Sequence, residues 1–142
     1  MIGLPRRAQC DARGSVAIEF ALVAPVFLMF LFLILEGGRM VFTKQSVTEV
    51  ATATARCAAI KATGCTTAAN AQNWAISRGL TRDNLHLAPE NVEVITGTSC
   101  NGMPNMAKAT ISVAWKRAAT AFLPQSLAPA MLTSIACFPI AS

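Results

Sequence analysis

Twenty consecutive residues, Val16 to Leu35, contain one charge, Glu19. Coiled as an α-helix, such a run is about 30 Å long, the thickness of a bilayer's hydrocarbon core. A helix that is apolar on every face needs apolar surroundings on every face, which a small aqueous domain cannot supply. The run therefore predicts a transmembrane helix over residues 15–36, preceded by a basic leader over 1–14. In a chain of 142 residues this leaves a stem helix over 37–62 and one small domain over 63–142.

Charge orients the span. Arg6, Arg7 and Arg13 precede it against a single acid, Asp11, whereas Glu36, Arg39, Lys44 and Glu49 nearly cancel on the far side. Short flanks rich in Arg and Lys stay in the cytoplasm, so the N-terminus is expected inside and everything after Glu36 outside. The remaining charges are scattered. The formal net charge of +5 forms no basic patch interleaved with aromatic residues, which argues against a nucleic-acid partner.

Cysteine usage agrees with that orientation. Cys57, Cys65, Cys100 and Cys137 lie on the expected outer side, an even number for an oxidising compartment, while Cys10 is the odd one on the other side. Four cysteines allow three pairings. Cys57–Cys65, closing a short loop at a helix end, and Cys100–Cys137, tying a sheet together, are favoured. The alternative is that some are free, small buried residues. Zinc fits poorly: the spacings are irregular, and the sole histidine, His86, reads as a surface or cap residue. No cofactor is expected.

Two ordinary readings compete for the first forty residues. A secretory signal peptide would explain the basic start, but the apolar core is long and no Ala-x-Ala site follows it promptly. A plain signal anchor explains topology but not Glu19, since an ionised carboxylate within a bilayer costs about 2.5–3.5 kcal/mol at mid-membrane and less near a helix end. Gly14, Ser15 and Glu19 suggest a third reading. Cleavage after Gly14, expected to lie extended and accessible, would free the amine of Ser15. That cation could pair with Glu19 on a neighbouring helix. Pro25 lacks an N–H and is expected to kink or locally melt the helix.

The string from Arg13 to Arg56, with Gly14-Ser15-Val16-Ala17-Ile18-Glu19-Phe20, then Pro25, then Glu36-Gly37-Gly38-Arg39, resembles the N-terminal region of TadE-like proteins. These are pseudopilins, or minor pilin-like proteins, of the tight-adherence (Tad, Flp-type) pilus. The resemblance covers about a third of the chain. It implies cleavage between Gly14 and Ser15 by a prepilin peptidase, and a processing and assembly motif at Glu19 and Phe20. It also implies retention in the bacterial inner membrane as a single-pass protein, with the body in the periplasm. Its partners would be that peptidase, other pseudopilins, assembly-platform proteins and the lipid bilayer. Ser15 and Phe20 depart from the residues of ordinary type IV pilins and of the major Flp pilin respectively.

Beyond the span, Val41, Gln45, Val47, Val50, Ala51, Thr54, Cys57 and Ala58 recur at helical spacing, a low-bulk stripe suited to a partner helix or to the chain's own domain. Gly37-Gly38 is expected to permit bending at the membrane exit, and Gly64 to end the stem. Thr66 or Thr67 then caps a helix over 68–78, with Ala71, Trp74, Ala75 and Arg78 on one face and Gly79 stopping it. Residues 91–96 and 108–115 alternate as strands around a connection over 97–107. An Ala-rich helical turn falls within 118–129, followed by a last strand over 131–138. The fold class expected is α+β: a transmembrane helix continuing as a stem, one further helix and about three antiparallel strands.

An enzyme is the weaker class. Ser126 has no nucleophile elbow around it, and His86 has only Asp83 as a carboxylate neighbour in sequence. A generic single-pass envelope protein with a periplasmic binding domain, and no filament role, is the alternative to a pilus function.

Overall fold

The computed structural model describes residues 12–83, 85–115 and 131–140, with side chains from Val16 onward except at 82 and 83. The leader arginines Arg6 and Arg7, Cys10, Ser126 and the helical turn expected over 118–129 lie outside these residues. The elements are α1 (Ala12–Ala59), α2 (Ala68–Asp83), a short 3₁₀ turn at Pro89–Asn91, and strands β1 (Val92–Cys100), β2 (Met103–Ala114) and β3 (Met131–Pro139). The chain divides into two compact units, residues 1–35 and 36–142.

The first unit is helical from Ala12. Its side chains from Val16 to Leu35 are exposed, apart from a half-buried Ala24. Pro25 does not interrupt the helix. A single missing N–H removes one bond from the ladder, and the helix-favouring Leu, Met and Ala around it keep the rest in place.

In the second unit the same helix becomes one wall of a core. Val47, Val50, Ala51, Thr54, Ala55 and Ala58 are buried, whereas Val41 and Gln45 of the expected stripe are exposed. The buried stripe thus starts near Val47 and faces the chain's own domain. Thr54 is tolerated there because its hydroxyl donates to the Val50 carbonyl at 2.7 Å. Helix α1 continues through Gly37 and Gly38, where an added Cβ would meet nothing within 4 Å.

The end of α1 corrects the expectation about Gly64. Ala62 N donates to Cys57 O at 3.2 Å and Lys61 N to Ala58 O at 3.3 Å. That pair of bonds is a Schellman motif with Lys61 at the left-handed position, φ 48°. Gly64, at φ 90°, serves the turn that follows.

Thr67 caps α2: its Oγ1 accepts from Asn70 N at 3.2 Å. The helix then runs past Gly79 to Asp83. Ala71, Ala75 and Gly79 form its buried stripe. A Cβ at Gly79 would lie 2.8 Å from Leu87 Cδ1, so this glycine serves a close approach and does not stop the helix.

The strands form one antiparallel sheet in the order β1-β2-β3. The connection expected over 97–107 shrinks to two residues, Asn101 and Gly102, with φ 50° and 79°. Both values suit a type I′ hairpin turn, which matches strand twist. The other loop-like residues mark irregularities: Gly97 has φ 76°, beside a shift in register between Thr96 and Thr98, and Asn105 has φ 58°. On the inner face, Val92 lies opposite Ile111 and Val94 opposite Ala109. Val92 and Ile111 join Val47, Val50, Ala51, Ala75, Leu85 and Leu87 in one cluster. A second cluster surrounds Cys57, Cys65, Ala58, Ala71 and Ala107, with Trp74 and Phe138 packed against it.

Candidate functional site

The residues expected to carry processing and assembly fall in the first turns of α1. Gly14 and Ser15 are in helical backbone, not the extended backbone anticipated. They lie in its first turn, where backbone N–H groups have no intrahelical acceptor and the helix opens most easily. Glu19 and Phe20 are exposed, and among the described residues no cation pairs with Glu19. Val16–Ala59 is one helix whose apolar part is long and apolar enough to cross a bilayer.

At the far end of the apolar run the charges are handled differently. Arg39 Nη1 donates to Glu36 Oε2 at 3.3 Å across one helical turn. The Arg39 guanidinium also lies over the Trp115 ring, 5.8 Å from its centroid. Trp115 immediately follows β2. The alternation over 108–115 gives no hint of this contact, because nothing local links residues so far apart in the chain.

Both favoured disulfides are formed. Cys57–Cys65 spans the turn between α1 and α2 with Cα atoms 5.7 Å apart, and Cys100–Cys137 joins the end of β1 to β3 with Cα atoms 6.4 Å apart. Beside the first lies an open groove of about 460 Å³, lined by Glu49 and Arg56 of α1, Ile60 just after it, Trp74 and Arg78 of α2, and Phe138 of β3. Trp74 is half-buried, and the Arg78 guanidinium covers it at 5.0 Å. The groove offers apolar area and two guanidinium groups. His86 is exposed. No group of three or more His, Cys, Asp or Glu side chains able to hold a metal occurs among the described residues.

Residues 14–56 match the family model of TadE-like protein. The TadE-like region begins at the glycine of the expected cleavage pair and ends within the buried part of α1. The match covers about a third of the chain, from the start of the apolar helix into the stem. Comparison of the chain with curated proteins and with solved structures gives no match.

Proposed function

We propose that this chain is a membrane-anchored pseudopilin that takes part in assembly or initiation of a Tad/Flp-type pilus and in the surface adhesion that depends on it. The observation that carries this reading is the match over residues 14–56, which takes in Gly14, Ser15, Glu19, Phe20 and the whole apolar run. A prepilin peptidase cuts between Gly14 and Ser15. The mature chain stays in the inner membrane, with its N-terminus at the cytoplasmic face and residues after Glu36 in the periplasm. Two disulfides in the second unit support an oxidising compartment.

Glu19 has the central role. An acid in the apolar segment gains most when a cation meets it, and the freed Ser15 amine of a neighbouring subunit is such a cation. Helix 16–35 then packs against the helices of other pseudopilins or assembly-platform proteins. Two measurements test the proposal. Sequencing the N-terminus of membrane-extracted protein should give Ser15. The Glu19→Ala variant, at matched membrane levels, should make fewer pili than wild type. A mature chain starting at Met1 contradicts processing. Equal piliation contradicts the assembly role and favours a single-pass envelope protein with a periplasmic binding domain.

A further inference from the structure

We propose that Arg39, Trp115 and Phe42 form a binding site for phospholipid headgroups, which holds the end of β2 at the surface of the bilayer. The site rests on the reading of residues 16–35 as a membrane span. Arg39 follows the last residue of the apolar run by four positions, about 6 Å of helix. That distance puts its side chain at headgroup level.

Three observations give the site its chemistry. First, the Arg39 guanidinium is positioned in advance, stacked 5.8 Å from the Trp115 centroid and tethered to Glu36. The Glu36 side chain is only 13% exposed, whereas that of Arg39 is 56% exposed. One N–H is engaged, and the others have no protein partner among the described residues. A planar group with free parallel donors matches phosphate oxygens, and stacking lowers the entropy lost on binding.

Second, Phe42, three residues beyond Arg39 on the same side of the helix, is 72% exposed. A large aromatic side chain left in water after a charged turn has an apolar layer to enter at the interface. Third, Trp115 is half-buried at the end of its strand. Its amphipathic ring suits the interfacial layer, where tryptophan is enriched. Cation and indole thus meet four residues after the apolar run along α1, and the exposed Phe42 follows three residues later.

Depth-dependent fluorescence quenching tests this on the full chain in phosphatidylcholine/phosphatidylglycerol vesicles, with spin labels at the headgroup or in the middle of the acyl chain. The chain has two tryptophans. In Trp74→Phe only Trp115 emits, and headgroup labels should quench it at least about twofold more than mid-chain labels, as for an interfacial ring. In Trp115→Phe only Trp74 emits. Trp74 packs beside Cys57, eighteen residues or about 27 Å farther along α1 than Arg39, and neither label should reach it. Arg39→Ala should lower headgroup quenching of Trp115, and Arg39→Lys should lower it less.

A third variant, Phe30→Trp with both native tryptophans replaced by Phe, reports on the span itself. Strong mid-chain quenching there with no headgroup quenching of Trp115 overturns the headgroup site and leaves the span standing. Absence of mid-chain quenching at residue 30 overturns both.

Discussion

Gly79→Ala should destabilise the second unit although it replaces the worst helix-forming residue except proline with the best. A Cβ at position 79 would lie 2.8 Å from Leu87 Cδ1 and 3.4 Å from both Leu87 Cγ and the Leu85 carbonyl oxygen. Carbon atoms in ordinary contact sit about 3.5–4.0 Å apart, so Leu87 must retreat by roughly 0.7 Å or more. Its retreat is blocked, because Leu85 and Leu87 are buried in the cluster that holds Val47, Val50, Ala75 and Ile111. Overpacking of this kind costs about 1–3 kcal/mol. Removing a glycine from a helix interior returns about 1 kcal/mol. The net expectation is a loss of about 1 kcal/mol, read as a lower urea midpoint. Both tryptophans lie in the second unit, so intrinsic fluorescence of the full chain in detergent reports its unfolding. Gly37→Ala is the control: it adds a Cβ that meets nothing within 4 Å and should leave the midpoint unchanged or slightly raised. In a Leu87→Ala background the penalty at position 79 should shrink or change sign, since the clashing atoms are gone. A higher midpoint for Gly79→Ala in the otherwise native chain would refute the close-approach argument.

Lys61→Gly should raise stability by about 1 kcal/mol, because Lys61 holds the left-handed C′ position at φ 48°, where a Cβ costs about 1–2 kcal/mol; chemical denaturation with an unchanged m-value checks this, and a lower midpoint would count against the Schellman assignment. Gly102→Val should cost at least about 1 kcal/mol, since a β-branched residue is strained at φ 79° in the hairpin turn; an unchanged denaturation midpoint would argue against that turn. Thr67→Ala should cost about 1 kcal/mol by removing the cap of α2 at Asn70, measured in the same way. Free-thiol counting in denaturant, on protein isolated without reductant, should find Cys57, Cys65, Cys100 and Cys137 unreactive; four reactive thiols would contradict both disulfides.

The sequence signals that proved readable were those whose physics is local. The apolar run, the Thr67 cap, the Ala71–Ala75 face and the alternation of β2 each depend on neighbours within a few residues, and the structure has them. Glycine was harder to read, because its meaning depends on what comes near it. Gly79 looked like a helix stop, but α2 runs through it because Leu87 folds back against it. Lys61 takes the position that Gly64 was expected to hold. Asn101-Gly102 is a strong hairpin signal, diluted in sequence by Gly97, Pro104 and Asn105, which lie within the strands at or near register shifts. The pairing of Arg39 with Trp115 was invisible because it is purely tertiary. The stem stripe was legible as a buried face, but its partner was not: small residues at helical spacing suit another helix as well as the chain's own sheet and α2.

The two acids that bracket the apolar run separate what the chain satisfies by itself from what it leaves to others. Glu36 has Arg39 at 3.3 Å, and its side chain is largely shielded. Glu19 is exposed, and among the described residues no cation answers it. For an isolated helix, replacing Glu19 with Ala would only ease insertion, by up to about 2.5–3.5 kcal/mol if the acid sits deep in the bilayer. A chain whose sole task was anchorage would therefore gain from that change. Retaining the acid makes physical sense when a cation from another molecule meets it inside the membrane, where a pair is stronger than in water. Glu19→Ala should then insert at least as well as wild type and still fail in assembly, while Glu36→Gln should leave assembly intact and loosen the Arg39 tether. Membrane fractionation beside a count of pili in each strain separates the two acids. If Glu19→Ala assembles normally, or if Glu36→Gln is the variant that fails, the intermolecular role belongs elsewhere in the chain.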